Sequence, residues 1–194
     1  MNESTIRYYN EHAEEYAHAT LSADISELRS RFMTYVPAKG KILDAGCGSG
    51  RDTSAFMDAG YDLDAFDASE VMCRIATENT GINVEQKCFE ELDGEDKYDG
   101  IWACASLLHV KKENLPDVLL RLNRLLKPQG VVYASFKNGT GERMQGDRYY
   151  HDLIEAECSN LFEKSGFRIL EMFRTESVLP GRDREIWINV IAGK

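Results

Sequence analysis

From about position 40 onward, short apolar runs alternate with longer amphipathic stretches, the pattern of a mostly parallel sheet whose crossover helices cover both faces. The strand-like runs are KILDA (41–45), DLDAFD (62–67), NVEQKC (83–88), YDGIWACA (98–105) and VVYASF (131–136), each followed by a polar or glycine-containing turn. Between the last two, ENLPDVLLRLNRLLK repeats Leu and Val at helical spacing until Pro128 and Gly130 supply a break. HDLIEAECSNLFEKSGF reads as another helix, stopped at Gly166. Two β-rich segments follow, FRILEMFRTESVL and EIWINVIAG; the LPGRDR between them predicts an antiparallel pair at the sheet edge. Residues 1–37 read as helices, with Tyr8, Tyr9, His12 and Tyr16 spaced to line one face as a cap over a pocket. The expectation is a doubly wound α/β fold on a seven-stranded, mostly parallel sheet. It forms one domain over 1–194, with a helical cap (1–37), a ligand-binding core (38–136) and an acceptor-side remainder (137–194).

Composition narrows the partners. The chain has 194 residues, 43% of them apolar, enough for one substantial core. Its formal charge of −10, without a Lys/Arg block, argues against nucleic acid. The five cysteines, Cys47, Cys73, Cys88, Cys104 and Cys158, form no CxxC pair, which predicts free thiols in a reducing compartment and no metal site. No leader-like apolar segment opens the chain, and no run approaches the roughly eighteen apolar residues of a membrane span, so a cytoplasmic protein is expected.

The candidate chemistry lies in ILDAGCGSGRDTSAF, an apolar strand ending at Asp44, a turn holding Gly46, Cys47, Gly48 and Gly50, and then a helix. Glycines in such a turn let a ligand approach the backbone and permit dihedral angles closed to other residues. The next strand ends in Asp67, about twenty residues after the first glycine, the separation that brings a carboxylate to ribose hydroxyls. The turn is GxGxG, with Arg51 where a dinucleotide fingerprint has its third glycine. Asp44 would repel a pyrophosphate but suit an amino-acid ammonium.

Through LDAGCGSGRDT, FDASEVM, YDGIWACASLLHV and LLKPQGVVYASF, in that order over about residues 36–136, the sequence resembles the class I S-adenosylmethionine-dependent methyltransferase family. The resemblance implies a Rossmann-like methyltransferase fold and S-adenosylmethionine as cofactor, with S-adenosylhomocysteine as product. It implies that Gly46 to Gly50 wrap the methionine part and Asp67 takes the ribose. Ala68 and Met72 would flank the adenine, Cys88 and Phe89 would border its other edge, and the Ala103 carbonyl would meet the ammonium. Cys88 or Phe89 stands where the family usually has an acid for the adenine amino group.

On the acceptor side His109 is the candidate base, because residues beyond strand C-termini face the ligand crevice and imidazole titrates near neutrality. Its alternative is a pocket-shaping histidine. Tyr16, and with it Tyr9, is a candidate contact to cofactor or acceptor. FKNGTGERMQGDRYY reads as a long mobile loop at the acceptor entrance. Its Lys137, Arg143 and Arg148, with Arg182 and Arg184, make either a local anion site or a solvated loop of surface ion pairs. The expected acceptor is a small molecule, with its methylated atom (N, O, S or a metalloid) left open, and the protein is a monomer or homodimer. A nicotinamide-dependent oxidoreductase and a catalytically silent cofactor-binding module are the competing readings.

Overall fold

The computed structural model describes residues 2–179, 181–182 and 184–194. The apolar runs become β1 (Lys41–Ala45), β2 (Asp62–Asp67), β3 (Val84–Gln86), β4 (Tyr98–Ala103) and β5 (Leu126–Lys137). A separate hairpin of β6 (Gly141–Gln145) and β7 (Arg148–Asp152) follows, then β8 (Arg168–Glu176) and β9 (Ile186–Gly193). Among the described residues, seven strands form one sheet in the order β3-β2-β1-β4-β5-β9-β8. Strands β1 to β5 pair in parallel, while β9 runs antiparallel to both β5 and β8, so the reversed strand lies one place inside the edge. The turn expected at 179–184 includes positions 180 and 183, which lie outside the described residues.

The helices are α1 (Glu3–Glu11), α2 (Ala13–Leu21), α3 (Ser26–Met33), α4 (Arg51–Asp58), α5 (Glu70–Thr80), α6 (Leu115–Leu125) and α7 (Glu155–Lys164). Helix α6 buries Leu115, Val118, Leu119, Leu122 and Leu125, the one-face spacing that the sequence displays, and Pro116 sits harmlessly in its first turn. It ends earlier than the sequence suggests. Leu126 is already extended, and β5 absorbs Pro128 and Gly130 before its regular pairing starts at Gly100↔Val131. Helix α5 opens on Ser69, whose hydroxyl accepts from the Met72 amide, and closes on Gly81 in the left-handed region.

Alternation along the central strands splits the core across the sheet. Ile101 and Phe136 pack with α6 and α7 residues on one face, whereas Ile42, Trp102 and Tyr133 pack with Phe32 and Phe56 on the other. Trp102 and Tyr133 stack at 3.9 Å between ring centroids. No helix among the described residues is long and apolar enough to cross a membrane.

Two segments differ from the sequence reading. The stretch expected to be a mobile loop is the β6–β7 hairpin, which pairs Arg143 with Tyr150 and Gln145 with Arg148. The helix expected from His151 starts instead at Glu155, because His151 and Asp152 are spent on β7. In both, polar side chains on a two-stranded ribbon give no hydrophobic period to read.

Candidate functional site

The turn after β1 is held by three contacts. The amides of Gly46 and Cys47 both donate to the Phe66 carbonyl, at 2.9 and 3.0 Å, tying the ends of β1 and β2 together. Gly46 has φ +79°, and a Cβ there would stand 2.6 Å from that of Ser106, whose hydroxyl donates to the Ala45 carbonyl. Gly48 has open space where a Cβ would be, and its amide donates to Asp67 Oδ2 at 2.9 Å. The Ser69 amide donates to Asp67 Oδ1 at 2.9 Å. Asp67 is thus fixed opposite the glycine turn. Burial pushes its carboxyl up, and the bonds from Ser69 and Gly48 oppose that shift.

Beneath the turn two carboxyls have divided roles. Asp52 accepts from Arg29 at 2.7 Å, from Arg51 at 2.8 and 3.0 Å, and from the Trp102 indole at 3.0 Å. These donors overcome burial and hold it below the usual carboxylate range. Asp44 accepts from Thr53 at 2.6 Å, and burial, reinforced by the Asp52 charge, drives its carboxyl well above that range. Arg51 also donates to the Thr20 carbonyl at 3.2 Å, fastening α2 to the glycine turn.

A cavity of about 300 Å³ opens at the C-terminal ends of β1, β2, β4 and β5, beneath the N-terminal helices. Tyr16, Asp44, Gly46, Cys47, Gly48, Asp67, Ala68 and His109 all line it, as do Tyr9 and Ser69. Gly50, Met72, Cys88, Phe89 and Ala103 are not among its lining residues. Gly50 caps α4 at φ +80°, and a Cβ there would meet Thr80 on α5 at 2.7 Å, so it serves helix packing. Met72 and Ala103 are buried in the core, and Phe89 lies edge-on to Phe66. Cys88 is half-buried at the start of a short 3₁₀ turn.

On the opposite side of the cavity, His109 sits in a 3₁₀ turn (Leu107–His109) following β4. Its Nδ1 is 2.7 Å from the Tyr149 carbonyl oxygen, so that nitrogen carries the ring proton. Nε2 therefore presents a lone pair, which accepts from the Tyr9 hydroxyl at 3.0 Å. Burial pushes His109 down to about 4, against the Tyr149 bond and with help from Arg148 and Lys137. The imidazole is neutral near pH 7, with its Nε2 lone pair engaged by the Tyr9 hydroxyl.

The five cations of the sequence reading separate here. Lys137, Arg148 and Arg182 line the cavity. Arg143 instead pairs with Asp152, and Arg184 is exposed. Lys137 is matched by Glu185 at 2.5 Å. Tyr150 and Trp187, which also line the cavity, carry no sequence signal as site residues, because aromatic residues in strands ordinarily report packing.

A family model described as a methyltransferase domain matches residues 13–171. An uncharacterized methyltransferase of Staphylococcus carnosus is 26% identical over 158 residues, covering 77% of this chain and 73% of its own length. A ubiquinone biosynthesis O-methyltransferase of Rickettsia conorii is 34% identical over 108 residues; that match takes in 53% of this chain and only 37% of the relative's length. Among solved structures, Burkholderia thailandensis 1,6-didemethyltoxoflavin-N1-methyltransferase, with 1,6-didemethyltoxoflavin and S-adenosylhomocysteine bound, superposes with a TM-score of 0.82 at 22% identity, over 98% of this chain and 87% of that one. The CcbJ methyltransferase of Streptomyces caelestis superposes with 0.76 at 17% identity, over 99% and 98%. At these identities the structural likeness is one of fold.

Proposed function

The chain belongs to the class I S-adenosylmethionine-dependent methyltransferase family, and from that premise we propose that it moves the methyl group of S-adenosylmethionine to a small-molecule acceptor by in-line displacement. The observation that carries this reading is Asp67, half-buried across from the glycine turn. Each of its oxygens accepts one backbone amide and keeps a lone pair for the vicinal hydroxyls of a ribose.

In this reading Gly46, Cys47 and Gly48 lie along the methionine part, and Gly50 keeps the turn in shape by letting α4 and α5 pack closely. The Asp44 carboxylate receives the ammonium, and Ala103, buried at the end of β4, backs the site from the core. Ala68 touches the adenine, Met72 and Phe89 support it from the core, and Cys88 stands at its rim. Tyr16 closes the cavity from α2. The Burkholderia enzyme's complex with 1,6-didemethyltoxoflavin and S-adenosylhomocysteine supports a small acceptor, and the net charge of −10 disfavours a polyanion. Five free cysteines suit a reducing, cytoplasmic setting.

The chemistry asks for alignment more than for covalent help. Held by Asp67 and the glycine turn, S-adenosylmethionine would supply an electrophilic methyl group, to which the acceptor's lone pair would bond as the carbon–sulfur bond breaks and its electrons return to sulfur. Holding the reactants in line and dry contributes several kcal/mol, on the order of seven or more in well-oriented cases. Where the acceptor atom bears a proton, it passes to the Tyr9 oxygen as the Tyr9 proton moves to His109 Nε2, leaving an imidazolium.

Calorimetric titration with S-adenosylmethionine, S-adenosylhomocysteine, NAD and NADP tests the cofactor. The first two should bind in the micromolar range and weaken about ten-fold or more in Asp67→Ala, the loss of charge-assisted hydrogen bonds. Binding of nicotinamide dinucleotides alone, or of none of the four, would overturn the reading.

A further inference from the structure

The cavity has a basic corner inside an acidic protein. Arg51 on the cofactor side is paired with Asp52, and in the corner Lys137 is balanced by Glu185, but neither Arg148 nor Arg182 has a carboxylate partner within ion-pair distance among the described residues. Glu176 also lines the cavity and pairs with neither. Arg148 lies over the rings of Tyr8, at 4.5 Å, and Tyr150, at 5.6 Å, and its Nε is buried with no hydrogen-bond partner. Buried donors of charged groups are seldom left unpaired in a working protein, so an incoming oxygen is the natural complement. Guanidinium groups recognise planar oxyanions through two parallel N–H bonds, which points to a carboxylate over a monoatomic anion.

We propose that Arg148 and Arg182 form an oxyanion subsite, so that the methyl acceptor is a small planar ring bearing a carboxylate close to the atom that is methylated. This rests on the methyltransferase reading and adds the substrate class. Planarity suits the aromatic lining: Tyr9 and Tyr16 meet edge to face at 5.1 Å, and Tyr150 and Trp187 line the same cavity. Proximity follows from Tyr150, whose ring is 4.9 Å from His109 and lies beneath Arg148. A carboxylate on Arg148 thus leaves the rest of one aromatic ring beside Tyr9 and His109.

The arrangement also couples binding to proton transfer. Arg148 is one of the charges that hold His109 down. An anion seated on Arg148 offsets that charge, so the imidazole becomes a better base only when the acceptor is in place.

The test is titration of 2-hydroxybenzoate, 4-hydroxybenzoate and their neutral amides into the protein, with and without S-adenosylhomocysteine, for wild type, R148Q, R148K and R174Q. At least one acid should bind the wild type about ten-fold more tightly than its amide. R148Q should remove that preference and R148K should restore part of it, while S-adenosylhomocysteine affinity stays within about two-fold. R174Q, altered at an exposed guanidinium that pairs with Glu155, should behave as wild type. Equal binding of acid and amide, no binding of either acid, or a preference that survives in R148Q would each overturn the subsite. Failure of S-adenosylhomocysteine to bind the wild type would count against the cofactor reading alone, since the acid and amide arms without it still decide this one.

Discussion

Asp44 and Asp52 show how neighbouring acids in one buried patch come to differ. Asp52 has two guanidinium groups and an indole N–H to stabilise its charge, whereas Asp44 has the Thr53 hydroxyl and its neighbour's repulsion. The proton of the pair therefore resides on Asp44 in the free protein. An ammonium arriving beside Asp44 reverses this, and cofactor binding near neutral pH should release a proton. The apparent binding enthalpy of S-adenosylhomocysteine should then differ between buffers of high and low ionisation enthalpy, and Asp44→Asn should abolish the difference; identical enthalpies for wild type would mean that Asp44 is already ionised. His109 carries a second pH signature. Its unfolded form takes up a proton near pH 6.5, but the folded form holds out to about 4, so between those values the unfolded state binds more protons. Its contribution to stability is complete above pH 6.5 and falls as the pH drops towards 4, by about 3 kcal/mol for this buried ring. Urea unfolding of wild type against His109→Asn across that range should show the wild type losing about that much more.

Within the turn the glycines have separable duties, and substitution should expose them. Gly50→Ala places a methyl against Thr80 and forces alanine to φ +80°, so it should destabilise the fold by about 2 kcal/mol or more in denaturant titrations. Gly48→Ala meets no neighbour and should cost only about 1 kcal/mol from its positive φ, yet weaken cofactor binding by filling the space along the ligand. If both variants lose stability equally, the division of labour between loop and helix packing is wrong. These glycines, like β1, β2 and the α6 stripe, were legible because strand–turn–helix and one-face leucine spacing are local patterns. The hairpin was not, since β6 exposes Glu142, Met144 and Gln145 and is stabilised by distant partners. The Tyr149 amide donates to Thr5, the Tyr149 hydroxyl to Glu142, and Ser4 donates to the Asp147 carbonyl. His109 was legible as a residue but not as a neutral Nδ1–H tautomer, because the atoms that set it come from α1 and β7, far away in sequence. Arg148 was legible only as one cation of five; its isolation from carboxylates depends on Asp152 and Glu185 pairing elsewhere. Helix α1 joins both halves of the site, bonding β7 through Thr5 and the start of α5 through Asn10 and Ser69.

Taken across the molecule, charge and site oppose each other. A net charge of −10 repels an anionic acceptor at a distance, while Arg148 and Arg182 attract it only once it is inside. The two effects respond differently to salt. Surface repulsion acts over about 30 Å at 0.01 M ionic strength but is screened beyond about 8 Å at 0.15 M, whereas contact with a part-buried guanidinium is screened much less. Raising the ionic strength over that interval should therefore speed the association of a hydroxybenzoate several-fold while changing its dissociation little. Trp187 lines the cavity and the other tryptophan, Trp102, is fully buried, so stopped-flow tryptophan fluorescence can follow the event. An association rate that falls with salt would mean that the basic corner projects its field beyond the cavity mouth, and the acidic surface would then have no part in selecting what enters.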